Sequence, residues 1–300
     1  MASNRAEAAS TQIVSVEALS YSYGRFSALR NLTLHVGQGE LYALLGTNGA
    51  GKTTALECLE GHRSPTSGRV AVLGRSPLDR RGVRPRVGIM LQETGFAADL
   101  TVVETLGLAG RLSGRDDDVR RIVQRVRLHA KSDVRVGQLS GGEKRRLEFG
   151  MAIWGRPDLV FLDEPTTGLD LSAREDLWDA VAELRRDGAT VMLTTHYLEE
   201  AQLHADRIGF LHRGELRREG TVTELLAGLS SRIEFLAPRG VSLPLPVTST
   251  VNGLSRIETT DVQRDMAILL RWADLGGHRL ERLSTSTSTL DDVFRALTNS

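Results

Sequence analysis

The segment GTNGAGKT at residues 46–53 places glycines, a lysine and a threonine at the spacing of a phosphate-binding loop. It matches G-x-x-x-x-G-K-[ST], and an apolar run, ELYALLG, precedes it where a buried strand is needed. Glycines let backbone N–H groups curl around phosphate oxygens, and the following helix adds its N-terminal dipole. Lys52 would place its charge on the β- and γ-phosphates, and the Thr53 hydroxyl would bind Mg²⁺. The predicted phosphate-binding residues are Gly46, Thr47, Asn48, Gly49, Ala50, Gly51, Lys52 and Thr53.

Two acids end a second buried strand, in DLVFLDEP at residues 158–165. Asp163 would reach the magnesium ion through water from the end of this strand. Because neighbouring side chains of a strand diverge, Glu164 should perform a different task. Its position suits a general base that orients or deprotonates an attacking water. The alternative is a pair of solvated turn acids before Pro165.

Three further side chains occupy positions from which they could reach a bound nucleotide. His196 ends the apolar run ATVMLTTH, and Gln92 ends VGIMLQ. A lone histidine is more often structural, but ligands of parallel sheets bind at the carboxyl ends of strands, which would put His196 beside the phosphate loop. The amide oxygen of Gln92 would contact Mg²⁺ or the attacking water. Tyr23 in YSYG would stack on adenine, and the competing interpretation is a buried strand aromatic.

A second candidate for anion binding is LSGGEKRRLEFG at residues 139–150. The turn formed by Ser140, Gly141 and Gly142 leads directly into a basic, amphipathic run, which is typical of an anion-binding helix start. One nucleotide in one chain has no obvious use for both this turn and the phosphate loop.

The elements that must position these residues alternate between strand and helix over residues 40–210, which predicts a mostly parallel α/β core. Before this core, IVSVEALSYSYG and LRNLTLHV alternate apolar and polar residues and predict half-buried antiparallel strands. Residues 99–138 favour helix, with apolar side chains at i, i+3, i+4 and i+7 in DDDVRRIVQRV. RIGFLHRGELRREG predicts a hairpin that turns at Arg213 and Gly214.

The two ends of the chain differ from this core in amino-acid composition and hydrophobic pattern. Residues 1–11 are small and polar and are predicted to be disordered. Beyond about residue 230, APRGVSLPLPVTSTVNG predicts a linker or irregular loop, and STSTST at residues 284–289 predicts a loop. SRIETT predicts a strand, residues 266–272 an amphipathic helix, and LDDVFRALT ends a small appendage.

Composition narrows the function classes. The chain has 300 residues, which suggests about two domains, and its 38 basic residues balance 38 acidic ones, which does not favour a nucleic-acid partner. A single cysteine, Cys58, excludes an internal disulfide. No apolar run reaches transmembrane length, and MASNRAEAASTQ lacks the apolar core of a signal peptide, so we expect a cytoplasmic protein. The spacings HExxH, CxxC and GxSxG are absent, so metalloprotease, zinc-ribbon and hydrolase interpretations lack support.

Taken in chain order, the motifs resemble those of an ATP-binding cassette (ABC) ATPase over about residues 12–225. They are YG, GTNGAGKTT, the strand-end glutamine, LSGGE, FLDEPTTGLD and TTHYLEEA. The resemblance implies a P-loop NTPase with a RecA-like core, an antiparallel β-subdomain and a helical subdomain at about residues 95–150 that carries the LSGGE signature. It also implies ATP as the nucleotide and Mg²⁺ as its metal.

The same resemblance implies a role for each matching residue of one nucleotide site. Tyr23 corresponds to the adenine-stacking aromatic, and Thr54 joins Lys52 and Thr53 as a contact to phosphate and Mg²⁺. Gln92 corresponds to the residue that senses the γ-phosphate and relays to a membrane partner. Glu164 corresponds to the general base, and His196 corresponds to the residue that switches with the γ-phosphate. Both of these roles are catalytic.

The resemblance also explains the second helix start through a dimer. In this family the signature turn, here Ser140, Gly141 and Gly142, binds the ATP that the phosphate loop of a second subunit holds. Asp170 corresponds to the acid that reaches across the dimer. Glu143 departs from the family, because the commonest signature has glutamine at this position. Since Ser140, Gly141 and Gly142 are intact, we expect γ-phosphate binding to survive.

The last residues resemble a narrower group. LDDVFRALT after a strand–helix appendage resembles the ABC subunits of daunorubicin-type drug exporters, whose permease is a separate membrane chain. This implies an ABC ATPase domain at residues 12–228, an accessory domain at 229–300, a homodimer, and attachment to the inner face of the membrane through the permease. The expected cargo is a drug, antibiotic or lipid-like compound. The alternative is a soluble ABC ATPase that acts on nucleic acid or the ribosome.

Overall fold

The computed structural model describes residues 12–298 except 93, 94, 228, 239 and 252, and it divides into two compact units between Thr221 and Val222. Residues 1–11, which were expected to be disordered, lie outside the described part. The predicted boundary after residue 228 lies downstream of this division. The short helix Val222–Leu226 belongs to the second unit, because it packs against the last helix of the chain.

The elements of the first unit follow one another as the sequence patterns predict. Its strands are β1 (Gln12–Tyr23), β2 (Phe26–Gly37), β3 (Leu41–Leu45), β4 (Ser67–Val72), β5 (Val87–Met90), β6 (Leu159–Asp163), β7 (Thr190–Thr195), β8 (Arg207–His212) and β9 (Glu215–Gly220). Its helices are α1 (Lys52–Leu59), α2 (Arg80–Val83), α3 (Val102–Ser113), α4 (Val119–Arg125), α5 (Gly141–Ala152), α6 (Leu171–Arg186) and α7 (Leu198–His204). Short 3₁₀ turns lie at Arg84–Arg86, His129–Lys131 and Val136–Gln138.

Two sheets form the frame of this unit. A six-stranded sheet has the order β5-β6-β7-β3-β8-β9 and is parallel except for the predicted β8–β9 hairpin. β3, β6 and β7 are buried at every residue, as central strands covered on both faces must be. A separate antiparallel sheet has the order β2-β1-β4. One apolar core joins this sheet, α1 and the parallel sheet, so the loop between β3 and α1 is anchored at both ends.

Helices α3, α4 and α5 pack on one another and form the helical part of the unit. Thr101 and Glu104 form a capping box at the start of α3, and Asp118 caps α4. Gly150 allows α4 to approach α5, since a Cβ at this position would lie 3.1 Å from Cγ2 of Ile122. The predicted apolar face of α4 is confirmed by the burial of Ile122 and Val123.

The second unit contains an antiparallel sheet of β10 (Ser231–Leu236), β11 (Ser249–Val251), β12 (Leu254–Thr259) and β13 (Glu281–Ser286), in the order β11-β12-β10-β13. Its helices are α8 (Val222–Leu226), α9 (Val262–Leu275) and α10 (Leu290–Thr298). A small core of β10, β12 and α9 side chains holds it together: Ile233, Phe235, Ile257 and Leu269.

Two loop predictions in the second unit were wrong in part. Ser284, Thr285 and Ser286 of the STSTST run belong to β13, because they pair with β10. The segment predicted as a linker also contains β11, which pairs with β12. Both strands lie at the edges of the sheet, where backbone pairing on one side suffices and an apolar pattern is not required.

Candidate active site

A cleft of about 340 Å³ collects half of the residues that were predicted to bind nucleotide, together with Gln92 and Glu164. The phosphate loop between β3 and α1 forms its floor. The end of β1, the end of β5 and the residue after β6 supply its walls. It is lined by Tyr23, Phe26, Ala28, Asn48, Gly49, Gly51, Lys52, Thr53, Thr54, Gln92 and Glu164. The size and the converging polar groups suit a ligand with charged phosphates.

The phosphate loop depends on two glycines for its path. Gly51 has φ of 107°, and a Cβ there would lie 2.7 Å from the carbonyl oxygen of Ala28. A Cβ at Gly46 would lie 2.6 Å from the carbonyl oxygen of Leu211. α1 begins directly after Gly51, and no side chain caps its first N–H groups. The helix start therefore presents its backbone donors to the cleft, where an anion can accept from them.

Lys52 is a buried cation at the centre of the cleft and is only 5% exposed. Its Nζ donates to the carbonyl oxygens of Gly46 at 2.9 Å and Thr47 at 3.3 Å. It also forms an ion pair with Glu164, at 3.2 Å from Oε1. A phosphate that enters this loop would meet a positive charge that the loop itself holds in place.

Glu164 follows β6 and joins Lys52 to His196. Its other oxygen, Oε2, lies 3.1 Å from Nδ1 of His196 and accepts a hydrogen bond from the Thr167 hydroxyl at 3.2 Å. Its backbone φ of +46° is unusual for a non-glycine residue, and its N–H donates to the Thr194 carbonyl at 3.1 Å. Burial opposes ionisation, but Lys52, His196 and Thr167 outweigh it, so the pKa of Glu164 lies below its ordinary value. The carboxylate is thus held ionised in a fixed place.

Asp163, at the end of β6, is buried and does not line the cleft itself. Its Oδ1 accepts a hydrogen bond from the Thr194 hydroxyl. Within the described residues, no cluster of three or more His, Cys, Asp or Glu could hold a metal alone. The sparse donor set of Thr53, Gln92 and Asp163 fits Mg²⁺, because this ion keeps waters and takes substrate phosphates as ligands.

Tyr23 is fixed at the mouth of the cleft and is not the buried strand aromatic of the competing interpretation, since it is 41% exposed. Its hydroxyl lies 3.3 Å from Oγ1 of Thr54 and donates to Glu57. The Arg63 guanidinium lies 4.8 Å from the ring centroid. Phe26, which the sequence patterns did not single out, also lines the cleft and is 65% exposed. Its place beside the YG turn was the only available signal.

The signature turn does not line the same cleft in the described structure. Ser140 caps α5, and a Cβ at Gly142 would lie 3.0 Å from Cβ of Ala173, on the first turn of α6. Asp170 caps α6 by accepting from the Ala173 N–H at 2.8 Å. Ser140, Gly141, Gly142 and Asp170 therefore form a group of their own around the starts of two helices.

A larger groove, of about 700 Å³, lies elsewhere on the first unit and contains none of the predicted site residues. Arg125 pairs there with Glu183 and Asp187. Other charged side chains of the groove pair with residues outside it, as Arg127 does with Asp176. Size alone therefore does not mark the site, and the chemistry marks the smaller cleft.

Known proteins resemble this chain over most of its length. Residues 29–167 match a family model described as ABC transporter, and residues 231–289 match ABC transporter domain-containing protein-like, C-terminal domain. A Nod factor export ATP-binding protein of Paraburkholderia xenovorans is 37% identical over 292 residues, which cover 92% of this chain and 94% of the relative. A daunorubicin resistance ATP-binding protein of Streptomyces coeruleorubidus is 34% identical over 304 residues, 95% of each chain. The chain belongs to the ABC transporter family.

Solved structures extend the likeness to the fold of this ABC ATPase. An ATP-binding subunit of an ABC transporter superimposes with a TM-score of 0.66 at 28% identity, over 71% of this chain and 91% of the other. A dimeric ATP-binding cassette in a post-hydrolysis state, bound to ADP and phosphate, gives 0.63 at 25% identity, over 69% and 98%. The predicted P-loop NTPase fold and ATP-hydrolysing activity are confirmed. No helix in the described part of the ABC ATPase has the length and apolar character needed to cross a bilayer.

Arg145 of the ABC ATPase is a site residue that the sequence patterns missed. It lies on α5 and is 7% exposed. Its guanidinium donates to the carbonyl oxygens of Asp163 and Glu164, each at 2.8 Å, and of Pro165 at 3.0 Å. It also donates to the carbonyls of Leu91 at 2.7 Å and Gln92 at 3.1 Å. One side chain thus fixes the backbone beneath two residues of the cleft to the signature helix.

Glu143, the departure from the commonest signature, is used within its own helix start. Its Oε2 accepts from the Ser140 N–H at 2.8 Å, and the Ser140 hydroxyl accepts from the Glu143 N–H at 3.2 Å. This capping box, together with Lys131 at 3.5 Å, keeps the pKa of Glu143 below its ordinary value; the Ser140 N–H is the main cause. Glu143 is therefore ionised, and the Ser140 N–H and Lys131 partly offset its negative charge at the place where an anion would bind.

Glu143→Gln is expected to change the free energy of unfolding by less than about 1 kcal/mol, because the amide oxygen still accepts from Ser140 and the exposed Lys131 pair contributes little. Ser140→Ala, which removes the cap, is expected to cost about 1 kcal/mol. Urea denaturation of both variants checks this. A loss in Glu143→Gln as large as in Ser140→Ala would show that the carboxylate does more than complete the capping box.

Proposed function

We propose that this ABC ATPase is the energy-supplying subunit of an exporter whose membrane permease is a separate chain. The main support for ATP hydrolysis is that Glu164 contacts both Lys52 and His196 beside the phosphate loop, where no side chain caps the start of α1. Relatives named for Nod factor export and daunorubicin resistance align over nearly the whole chain, which supports export. A drug, antibiotic or lipid-like cargo follows from the same relatives.

In the proposed reaction, the Tyr23 ring stacks on adenine and the N–H groups of the phosphate loop hold the phosphates. The Lys52 ammonium group exchanges its ion pair with Glu164 for contacts with the β- and γ-phosphates. Glu164 then accepts the proton of a water whose oxygen attacks the γ-phosphorus; the bond from that phosphorus to the β–γ bridging oxygen breaks, and ADP and phosphate are the products. His196 holds the Glu164 carboxylate and contacts the γ-phosphate. Fixed donors around developing charge supply most of the acceleration in such reactions.

Mg²⁺ completes the proposed site. The Thr53 hydroxyl, the Gln92 amide oxygen and, through water, Asp163 would hold it. The ion supplies neutralisation of the phosphate charge. Gln92 would also carry the state of the γ-phosphate to the permease, because its backbone is tied to the signature helix through Arg145.

A head-to-tail homodimer would give the signature turn at the start of α5 a nucleotide to bind. Ser140, Gly141 and Gly142 of one subunit would approach the ATP that the phosphate loop of the other subunit holds, and Asp170 would reach across beside them. The start of α5 then offers backbone donors to the γ-phosphate. A solved cassette of the same fold is dimeric, which supports this arrangement.

Co-expression with a six-helix membrane permease that is its cognate partner is expected to move most of the ABC ATPase into the membrane fraction, since no described helix is long and apolar enough to cross the bilayer itself. Fractionation with and without the permease measures this, and the attached protein should lie on the cytoplasmic face, accessible to protease in inverted vesicles. A protein that stays in the supernatant and sediments with ribosomes would instead favour the alternative of a soluble ABC ATPase acting there.

A further inference from the structure

A buried carboxylate outside the proposed site, Glu200 on α7, contacts the loop that follows the general base. It is only 6% exposed. The Thr166 hydroxyl, itself 1% exposed, donates to Oε2 of Glu200 at 2.6 Å. Thr166 stands two residues after Glu164, on the segment between β6 and α6. A buried hydrogen bond of this length to a carboxylate fixes that segment against α7.

The other oxygen of Glu200 faces helix α6. Nε of Arg174 lies 3.2 Å from Oε1, so an ion pair joins α7 to the first turn of α6, which Asp170 caps. Burial raises the pKa of Glu200 above its ordinary value, although Thr166 and Arg174 favour the ionised form. The contact at Oε1 is an ion pair without hydrogen-bond geometry, so the desolvation of Glu200 is offset by the hydrogen bond from Thr166 and the charge of Arg174.

Arg174, the ion-pair partner of Glu200, also connects to His196 through the Tyr197 ring. The Arg174 guanidinium lies 4.9 Å from the centroid of the Tyr197 ring, and that ring packs against His196 at 4.1 Å between centroids. His196 in turn lies 3.1 Å from Oε2 of Glu164. The contacts therefore run from the base through His196 and Arg174 to Glu200, and return to the base loop through Thr166.

On the basis of the hydrolytic role proposed above for Glu164, we propose that Glu200 is a positioning residue for ATP hydrolysis. Its carboxylate holds the Glu164 loop through Thr166 and the His196 segment through Arg174 and Tyr197. It does not line the cleft, and acts by fixing the direction from which the base and the histidine approach the γ-phosphate.

Glu200→Ala should lower kcat for ATP hydrolysis by about 10- to 100-fold, since small displacements of catalytic groups cost this much, while KM and ATP affinity change less than about threefold. Glu199→Gln is the matched control, because Glu199 is the neighbouring acid on the same helix and is exposed. Thr166→Val and Glu200→Gln separate the two contacts. Thr166→Val keeps only the attraction to Arg174, Glu200→Gln keeps only an acceptor for Thr166, and each should lose less kcat than Glu200→Ala.

The measurements are steady-state hydrolysis of Mg-ATP, ATP affinity by calorimetry and thermal unfolding, on the full chain. Thr166→Ser should restore kcat relative to Thr166→Val, because it returns the hydroxyl. If Glu200→Ala behaves as Glu199→Gln, or if kcat and ATP affinity fall together with stability, the positioning role is wrong. Glu164→Gln is measured in parallel: normal hydrolysis by that variant would overturn the proposed function itself, independently of Glu200.

Discussion

Glu164→Gln is expected to bind ATP and to lose turnover by about 100- to 10,000-fold, the range that a general base contributes. The amide has the size of the carboxylate and can still accept from Thr167, so the loop should keep its shape. It cannot take a proton from water. Because hydrolysis is the step that would reopen the proposed dimer, the variant should accumulate as an ATP-bound dimer.

The electrostatics of the site favour retention of ATP in this variant. Glu164 pairs with the buried Lys52, with Oε1 at 3.2 Å from Nζ. Without that carboxylate, Lys52 needs an anion, and the phosphates of ATP supply one. ATP affinity is therefore expected to stay the same or rise.

Single-turnover hydrolysis, calorimetry with Mg-ATP and size-exclusion chromatography with and without ATP measure these three expectations. Glu183→Gln is a suitable control, since this exposed acid on α6 lies away from the cleft and pairs with Arg125 at 3.5 Å at the surface groove. Hydrolysis at the wild-type rate by Glu164→Gln would remove the residue from the role of base. A variant that is inactive but stays monomeric with ATP would leave the base in place and contradict the dimer.

Sequence patterns were sufficient for the frame of this site because they report burial and strand ends. The stretches LYALL and LVFL are apolar throughout, as strands covered on both faces of a parallel sheet are, and they lead directly into Gly46 and into Asp163 and Glu164. Residues that end neighbouring parallel strands share one edge of the sheet. The contact of His196 with Glu164 follows from this rule alone, since β6 and β7 are neighbours.

The same sequence patterns did not predict side-chain direction or local backbone geometry. KRR at residues 144–146 has the appearance of a solvated basic face, but Arg145 points inward to carbonyls up to 54 positions away in the chain. The positive φ of Glu164 has no sequence signal, because glutamate rarely adopts it. The capping box of Ser140 and Glu143 did have a signal, the spacing S-x-x-E, although the departure at Glu143 was weighed only for its missing amide.

Arg145→Met is the substitution with the largest expected effect on stability. It removes the cation beside the buried Glu148, at 2.6 Å, and the donors to five backbone carbonyls. Breaking a buried pair from one side costs about 3–5 kcal/mol, which is a large part of the stability of a typical domain. The carbonyls of Asp163, Glu164 and Pro165 lie too deep for water to replace the guanidinium without rearrangement.

The same substitution should also separate the two halves of the proposed site. Arg145 joins α5, which carries the signature turn, to the backbone of Gln92 and Glu164. Without it, hydrolysis is expected to fall by about 100-fold even in the folded fraction, because the base loses its fixed backbone. Arg145→Lys should recover part of the stability but little of the rate, since an ammonium cannot place donors on two sides at once.

Urea denaturation followed by circular dichroism, and hydrolysis measured at a temperature where each variant is folded, distinguish these two effects. Arg146→Met is the matched control: the neighbouring arginine on α5 pairs with Asp176 at 2.6 Å, and Asp176 keeps Arg127 as a second partner, so this variant should lose less stability than Arg145→Met, with unchanged hydrolysis. If Arg145→Met unfolds at the same urea concentration as Arg146→Met, the guanidinium is not what holds the end of β6 against the signature helix. If Arg145→Met loses stability but hydrolyses ATP normally once folded, the network serves the fold alone, and the link between the signature helix and the base must run elsewhere.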